Sequence, residues 1–202
     1  MQIDKVYLIV HPLLDQSTVR NLSKADKLII KNELHNFGQL VNESVRKKEN
    51  ALFIVVPSRV RKNTIVARSQ DRLISFIQRK LNSNFKIIGS EFGYYNIGDL
   101  ITSNQKNKAV FLAAQNELNS IEFSKNVHVQ AVGQYLDCCV KRGALNICEL
   151  IGAKGVHTTY EQLNWSKKMW SPLFIRKEKL FTKFSKWRRE LFGKRKLSKP
   201  KI

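Results

Sequence analysis

The sequence predicts an α/β domain: a doubly wound, mostly parallel sheet of about six strands with helices on both faces, plus a C-terminal basic amphipathic helix. Three observations predict it. Short continuous apolar runs (VYLIV, ALFIVV) read as strands buried on both faces. Between them lie stretches with apolar residues at three- and four-residue spacing, so strands and helices alternate. Basic charge is concentrated at the end of the chain, which sets a tail at 166–202 apart from a domain at 1–165.

The first strand is Val6–Val10, ended by His11-Pro12. A helix over Lys24–Lys47 follows, with Ser23 as N-cap and Ile30, Leu34, Phe37, Val41 and Val45 on one face. Ala51–Val56 is the second strand, closed by Pro57. A second amphipathic helix runs from about Thr64 to Leu81 through Val66, Leu73 and Ile77. Phe85–Gly89 reads as a short third strand, and Gly89–Gln105 as an irregular stretch with one helical turn near Ile97–Ile101. Ala109–Ala113 (AVFLA) is expected to be a fourth strand and Val127–Val132 a fifth. Gly133 ends that strand, and the next helix passes through Leu136, Val140, Ile147 and Leu150 to Gly152, placed as a C-terminal glycine. Gly155–Thr159 is the last strand. In such sheets ligands bind beyond the carboxyl ends of the strands, where the strand order reverses.

In the tail, Ser171-Pro172 opens a helix. Leu173, Leu180, Phe184, Trp187 and Leu191 share one face, widened by Phe174, Phe181 and Phe192. Lys177, Lys179, Lys183, Lys186, Arg188 and Arg189 take the flanks and back, with Lys194, Arg195 and Lys196 beyond. Residues 166–202 hold fourteen Lys/Arg against two acids, so +12 of the chain's net +20 sits there. A surface of that sign attracts polyanions. The expected partner of Lys177–Lys196, Trp187 included, is nucleic acid or an anionic membrane surface. Charge and aromatics suit both, and a docked terminal helix with a solvated face is the plain structural alternative.

Composition excludes several classes. Of the 202 residues, 43% are hydrophobic, too many for a wholly disordered chain. No run approaches the roughly 18 apolar residues of a membrane-spanning helix. The opening MQIDKVYLIVHP carries an acid and no small-residue cleavage site, so a signal peptide is not expected. Three cysteines, two of them adjacent, make no disulfide framework and fit a reducing, cytoplasmic setting. P-loop, G-x-G-x-x-G, G-x-S-x-G and H-E-x-x-H patterns are lacking. Glu91, Asp99 and Asp137 are too scattered for a nuclease's metal-holding carboxylates.

After the fifth strand the chain reads GQYLDCCVKRGAL, from Gly133 to Leu145. Gly133 permits a sharp turn, and Cys139 enters the first turns of the following helix, whose positive end favours a thiolate. Gly133, Asp137, Cys139 and Val140, with Ala144-Leu145 behind them, resemble the G-x-x-x-D-x-C-V nucleophile turn of the isochorismatase-like hydrolases, the superfamily that includes nicotinamidases. The resemblance covers about residues 5–160. It implies a cysteine-dependent hydrolase of a small amide or ester, or a relative that has lost catalysis. It implies Cys139 as nucleophile, Asp137 beside the substrate, and a lysine near the fourth strand, Lys108 or less well Lys106. The family's base, an aspartate after the first strand, falls where this chain has His11; Asp15 lies four residues on. Histidine can serve as a base toward a thiol. The nicotinamidase metal set is missing after the second strand, where the chain reads PSRVRK, so neither a metal nor a cofactor is expected. Expected partners are a small-molecule substrate, a polyanion at the tail and a second copy of the chain in a homo-oligomer. The competing class is a non-enzymatic binder acting through the tail.

Overall fold

The computed structural model describes residues 2–13, 24–102, 105–133, 139–153, 155–157 and 174–176, the last two segments as backbone only. In chain order it contains β1 (Ile3–Val10), α1 (Lys24–Arg46), β2 (Ala51–Val56), α2 (Ile65–Leu81), β3 (Phe85–Ile87), α3 (Glu91–Tyr94), α4 (Ile97–Thr102), α5 (Gln105–Asn119), β4 (Phe123–Gly133), α6 (Lys141–Ile151), β5 (Gly155–His157) and β6 (Phe174–Arg176). It is an α/β fold on a parallel sheet of four strands in the order β3-β2-β1-β4. The short β5 lies beside β4 in parallel, and β6 pairs with β5 antiparallel, Val156 opposite Ile175.

The two central strands form the floor of the core. All six residues of β2 are buried, as are Val6–Val10 of β1, because both strands carry apolar side chains toward helices on each face. Register sets Val6 opposite Leu52 and Val129, and Val10 opposite Val56 and Gly133. Phe37 and Val41 of α1, Leu73 and Ile77 of α2, and Ala144 and Ile147 of α6 close over this floor. A small second cluster, Leu13, Ile30 and Val66, sits under the loop that leaves β1. None of the described helices is long and apolar enough to cross a membrane.

The helix boundaries follow local chemistry. The Thr64 hydroxyl caps α2 by accepting from the Ala67 N–H at 3.1 Å. Gly152 ends α6 in the left-handed conformation, its N–H returned to the Cys148 carbonyl. On α1 the buried stripe is Ile30, Glu33, Asn36, Phe37, Leu40, Val41 and Ser44, whereas Val45, expected on that face, is exposed. The stripe follows three- and four-residue steps through three polar residues, Glu33, Asn36 and Ser44, which an apolar pattern alone skips.

Two expectations are corrected. Ala109–Ala113 is not a strand but the middle of α5, with Asn107, Ala114 and Leu118 buried and Leu112 exposed. Five apolar residues cannot separate strand from helix, and the flanking Ala, Gln, Glu and Leu are strong helix formers. Residues 174–176 are extended and paired with β5, where a helix from Ser171 was expected. The remainder of that tail, including Lys177, Lys179, Lys183, Lys186, Trp187, Arg188, Arg189, Lys194, Arg195 and Lys196, lies outside the described residues. In addition β3 is shorter than expected, and β4 begins four residues earlier, at Phe123.

Candidate active site

From β1 the chain winds through β2 to β3 on one side, then returns to place β4 on the other side of β1. The order therefore reverses between β1 and β4, so the ligand crevice expected of such a sheet falls at their carboxyl ends. His11 stands directly after β1, Gly133 ends β4 opposite Val10, and Cys139 with Val140 forms a π-helical turn just before α6.

His11 is buried and held from several sides. Its backbone has φ +48, and its N–H donates to the Val56 carbonyl at 2.8 Å, tying the strand end to β2. The ring Nε2 lies 3.1 Å from the Ser90 carbonyl oxygen, and the ring packs on Tyr94 with centroids 4.3 Å apart. With Nε2–H donating to that carbonyl, the neutral ring presents Nδ1 as its basic nitrogen. Gly93 makes the packing possible: a Cβ there would be 2.9 Å from His11 Cε1 and 2.8 Å from Val10 Cγ1.

The loop and short helix after β3 gather the charge. Glu91 is buried, and its Oε1 meets Arg59 Nη2 at 3.4 Å and Lys106 Nζ at 3.2 Å. The Ser90 hydroxyl donates to Oε2 at 3.2 Å. Burial by itself would raise the carboxyl; the Glu91 backbone N–H, the Lys106 ammonium and the Arg59 guanidinium more than offset it, so Glu91 sits below the usual carboxylate range. Arg59 also stacks on the Tyr94 ring, its Cζ 4.6 Å from the centroid. From α6, Arg142 Nη1 donates to the Tyr94 carbonyl at 2.9 Å, and Asn146 Nδ2 donates to the Phe92 and Tyr95 carbonyls, each at 2.9 Å. The 90–95 segment is thus fastened to the ends of β1 and β2, to α5 and to α6.

Of the residues singled out in the sequence, the structure puts His11, buried, at the carboxyl end of β1 and Cys139 just before α6, buried in the main core cluster. Lys108 is exposed on α5. It is Lys106, two residues earlier and about 200° around the helix, that reaches the site. Asp15 and Asp137 lie outside the described residues. Arg59, Tyr94, Arg142 and Asn146 carry no motif in the sequence, and Glu91 stood out only as a carboxylate. Their meeting depends on which strand ends become neighbours. Among the described residues no three His, Cys, Asp or Glu side chains gather as a metal site.

A second polar cluster lies at the opposite, amino end of the sheet. Tyr7 Oη donates to Glu49 Oε2 at 2.6 Å and accepts from Lys5 Nζ at 2.5 Å, and Lys5 is 3.3 Å from Glu49 Oε1. Beside it is an open depression of about 370 Å³ lined by Asp4, Lys5, Glu49, Asn50 and His128. Lys5 pairs with Glu49 and Asn50 with Asp4, so the cluster ties β1 to the turn before β2.

Comparison with known proteins gives no match: no family model fits the chain, and neither a curated protein nor a solved structure is significantly similar to it.

Proposed function

We propose that the chain is a divergent isochorismatase-like protein whose chemistry centres on Cys139, with His11 in place of the family's aspartate. The observation that carries this reading is the placement of His11 and Cys139 at the end of β1 and just beyond β4, the two strands that flank the reversal of order. In the reaction class this supports, His11 takes the Cys139 thiol proton and the thiolate attacks the carbonyl carbon of a small amide or ester. The proton then passes to the departing amine or alcohol, and water hydrolyses the thioester. Lys106 serves as the site lysine, anchored by Glu91. The test is hydrolysis of an activated ester together with alkylation of the folded chain. Cys139→Ser should abolish turnover, and His11→Ala should lower it about 100-fold or more. Absence of turnover with equal, slow labelling of all three cysteines removes the nucleophile and leaves a relative that has lost catalysis.

A second reading rests on the charge asymmetry, +12 in residues 166–202. In it the tail docks on a polyanion, nucleic acid or an anionic membrane. Because residues 174–176 pair with β5, deleting the tail would also remove part of the sheet edge. Neutralising Lys177, Lys179, Lys183 and Lys186 with glutamine is the cleaner test. Nucleic-acid binding should fall steeply with salt, and membrane binding should require anionic lipid and partly survive salt. Unchanged binding in that variant would assign the tail to packing alone.

A further inference from the structure

We propose that the crevice holds a phosphate-binding site formed by Arg59, Lys106 and Arg142. The proposal stands whether or not Cys139 reacts, since it uses none of the thiol chemistry.

Three cations reach one short segment from three separate elements: the loop after β2, the first turn of α5 and the first turn of α6. Arg59 and Lys106 share a single oxygen of Glu91, so two like charges lie side by side with one counter-charge between them. The other Glu91 oxygen is taken by the Ser90 hydroxyl. Arg142 is bonded to a carbonyl, which is neutral, and among the described residues no carboxylate pairs with it. Among the described residues one negative charge thus faces three positive ones. The excess of two matches a phosphate monoester, which carries about 1.5 to 2 negative charges at neutral pH.

Geometry favours the same ligand. Arg59 has five donors, of which the bond to Glu91 uses one. Its guanidinium is set by stacking on Tyr94, so its donors are already oriented. Lys106 is 78% exposed and can turn its ammonium toward a ligand without breaking core packing. Cationic donors supplied by three separate elements suit the several charged oxygens of a phosphate. Exposed Lys62, in the same loop as Arg59, adds to the attracting field. The phosphate could belong to a small ester or to a nucleic-acid backbone, and the two sources are separable.

The experiment titrates the full chain with phenyl phosphate and, separately, with a ten-residue oligothymidine that lacks a terminal phosphate. Parent, Arg59→Gln, Lys106→Gln and the double variant are compared, with Lys80→Gln as a distant control. The double variant should bind at least tenfold more weakly and the control like the parent, the tail's background being common to all. Loss confined to phenyl phosphate identifies a small ester; loss confined to the oligonucleotide identifies backbone phosphate; loss of both means the site accepts either. Lys106→Gln removes a largely exposed side chain and leaves the Arg59–Tyr94 stack in place, so it reports even where Arg59→Gln disturbs that packing. Glu91→Gln should bind at least as tightly as the parent, because it removes the competing carboxylate. Binding of both probes by the double variant within twofold of the parent overturns the site.

Discussion

Gly133 and Val10 are opposed so closely across β4 and β1 that a Cβ on Gly133 would lie 1.8 Å from the Val10 carbonyl oxygen. The backbone of Gly133 is also at φ +150, a conformation closed to other residues. Gly133→Ala should therefore part the two strands at the point where the crevice opens. We expect a loss of about 4 kcal/mol or more, or failure to fold, read from urea unfolding midpoints.

Gly93 offers a milder and more local test. A methyl at this position must displace the His11 ring or the Val10 side chain, since both lie within 2.9 Å of it. Gly93→Ala should cost about 1 to 3 kcal/mol by overpacking and should shift the His11 ring resonances in NMR spectra. Unmoved His11 resonances would mean that the backbone of α3 yields instead.

Asn146→Ala removes the donor to two carbonyls, those of Phe92 and Tyr95. The Phe92 carbonyl bond is buried, so its acceptor is left without water to replace the amide. A destabilisation of about 2 to 3 kcal/mol is expected. Hydrogen exchange should rise in 90–95 before it rises in β1 or β2.

Acid should loosen both ends of the sheet. Glu49, like Glu91, sits below the usual carboxyl value of 4.5: burial raises it, but hydrogen bonds from Tyr7 and Ser44 and the Lys5 charge more than offset that. A carboxyl whose pKa falls on folding contributes stability that is fully present above its unfolded value and is lost as pH drops through the folded one. Stability should be level from neutral pH to about 5, then fall below the ordinary carboxyl range. Tyr7→Phe removes one of the bonds that depress Glu49 and should make that fall shallower.

The thiols should separate cleanly. Cys148 is buried on α6, and desolvation first, then the Glu149 charge, pushes its thiol up to about 12. It should resist alkylation throughout the neutral range and react only as the chain unfolds. Labelling of Cys148 in the folded protein at neutral pH would contradict its burial.

What could be read in advance divides along physical lines. β1, β2 and α2 were legible because their signals are local: uninterrupted apolar runs closed by His11-Pro12 and Pro57, and a regular stripe through Val66, Leu73 and Ile77. His11 and Cys139 could be marked because strand ends are where such folds place ligands. The AVFLA run misled because five residues do not span two helical turns, and its true period emerges only with Asn107 and Leu118 included. Glu91, Arg59 and Tyr94 were hidden for a different reason. They are 35 residues apart at the extremes, Arg59 and Tyr94, and meet only through the β2–β3 pairing, which no local pattern encodes.

Gln70 reaches from α2 to the backbone of Ser58, its Oε1 accepting from the N–H at 2.7 Å and its Nε2 donating to the carbonyl at 3.3 Å, while the Ser58 hydroxyl donates to the Leu13 carbonyl at 2.9 Å. One amide side chain thus acts as a borrowed backbone unit, splicing two strand-end loops onto a helix. These loops would ordinarily be the first parts of such a sheet to open. Here the loop that bears Arg59 is hydrogen-bonded to α2 through Ser58, so displacing one strains its bonds to the other. A ligand that draws Arg59 inward would be felt along α2, and slower amide exchange in that helix would be its trace.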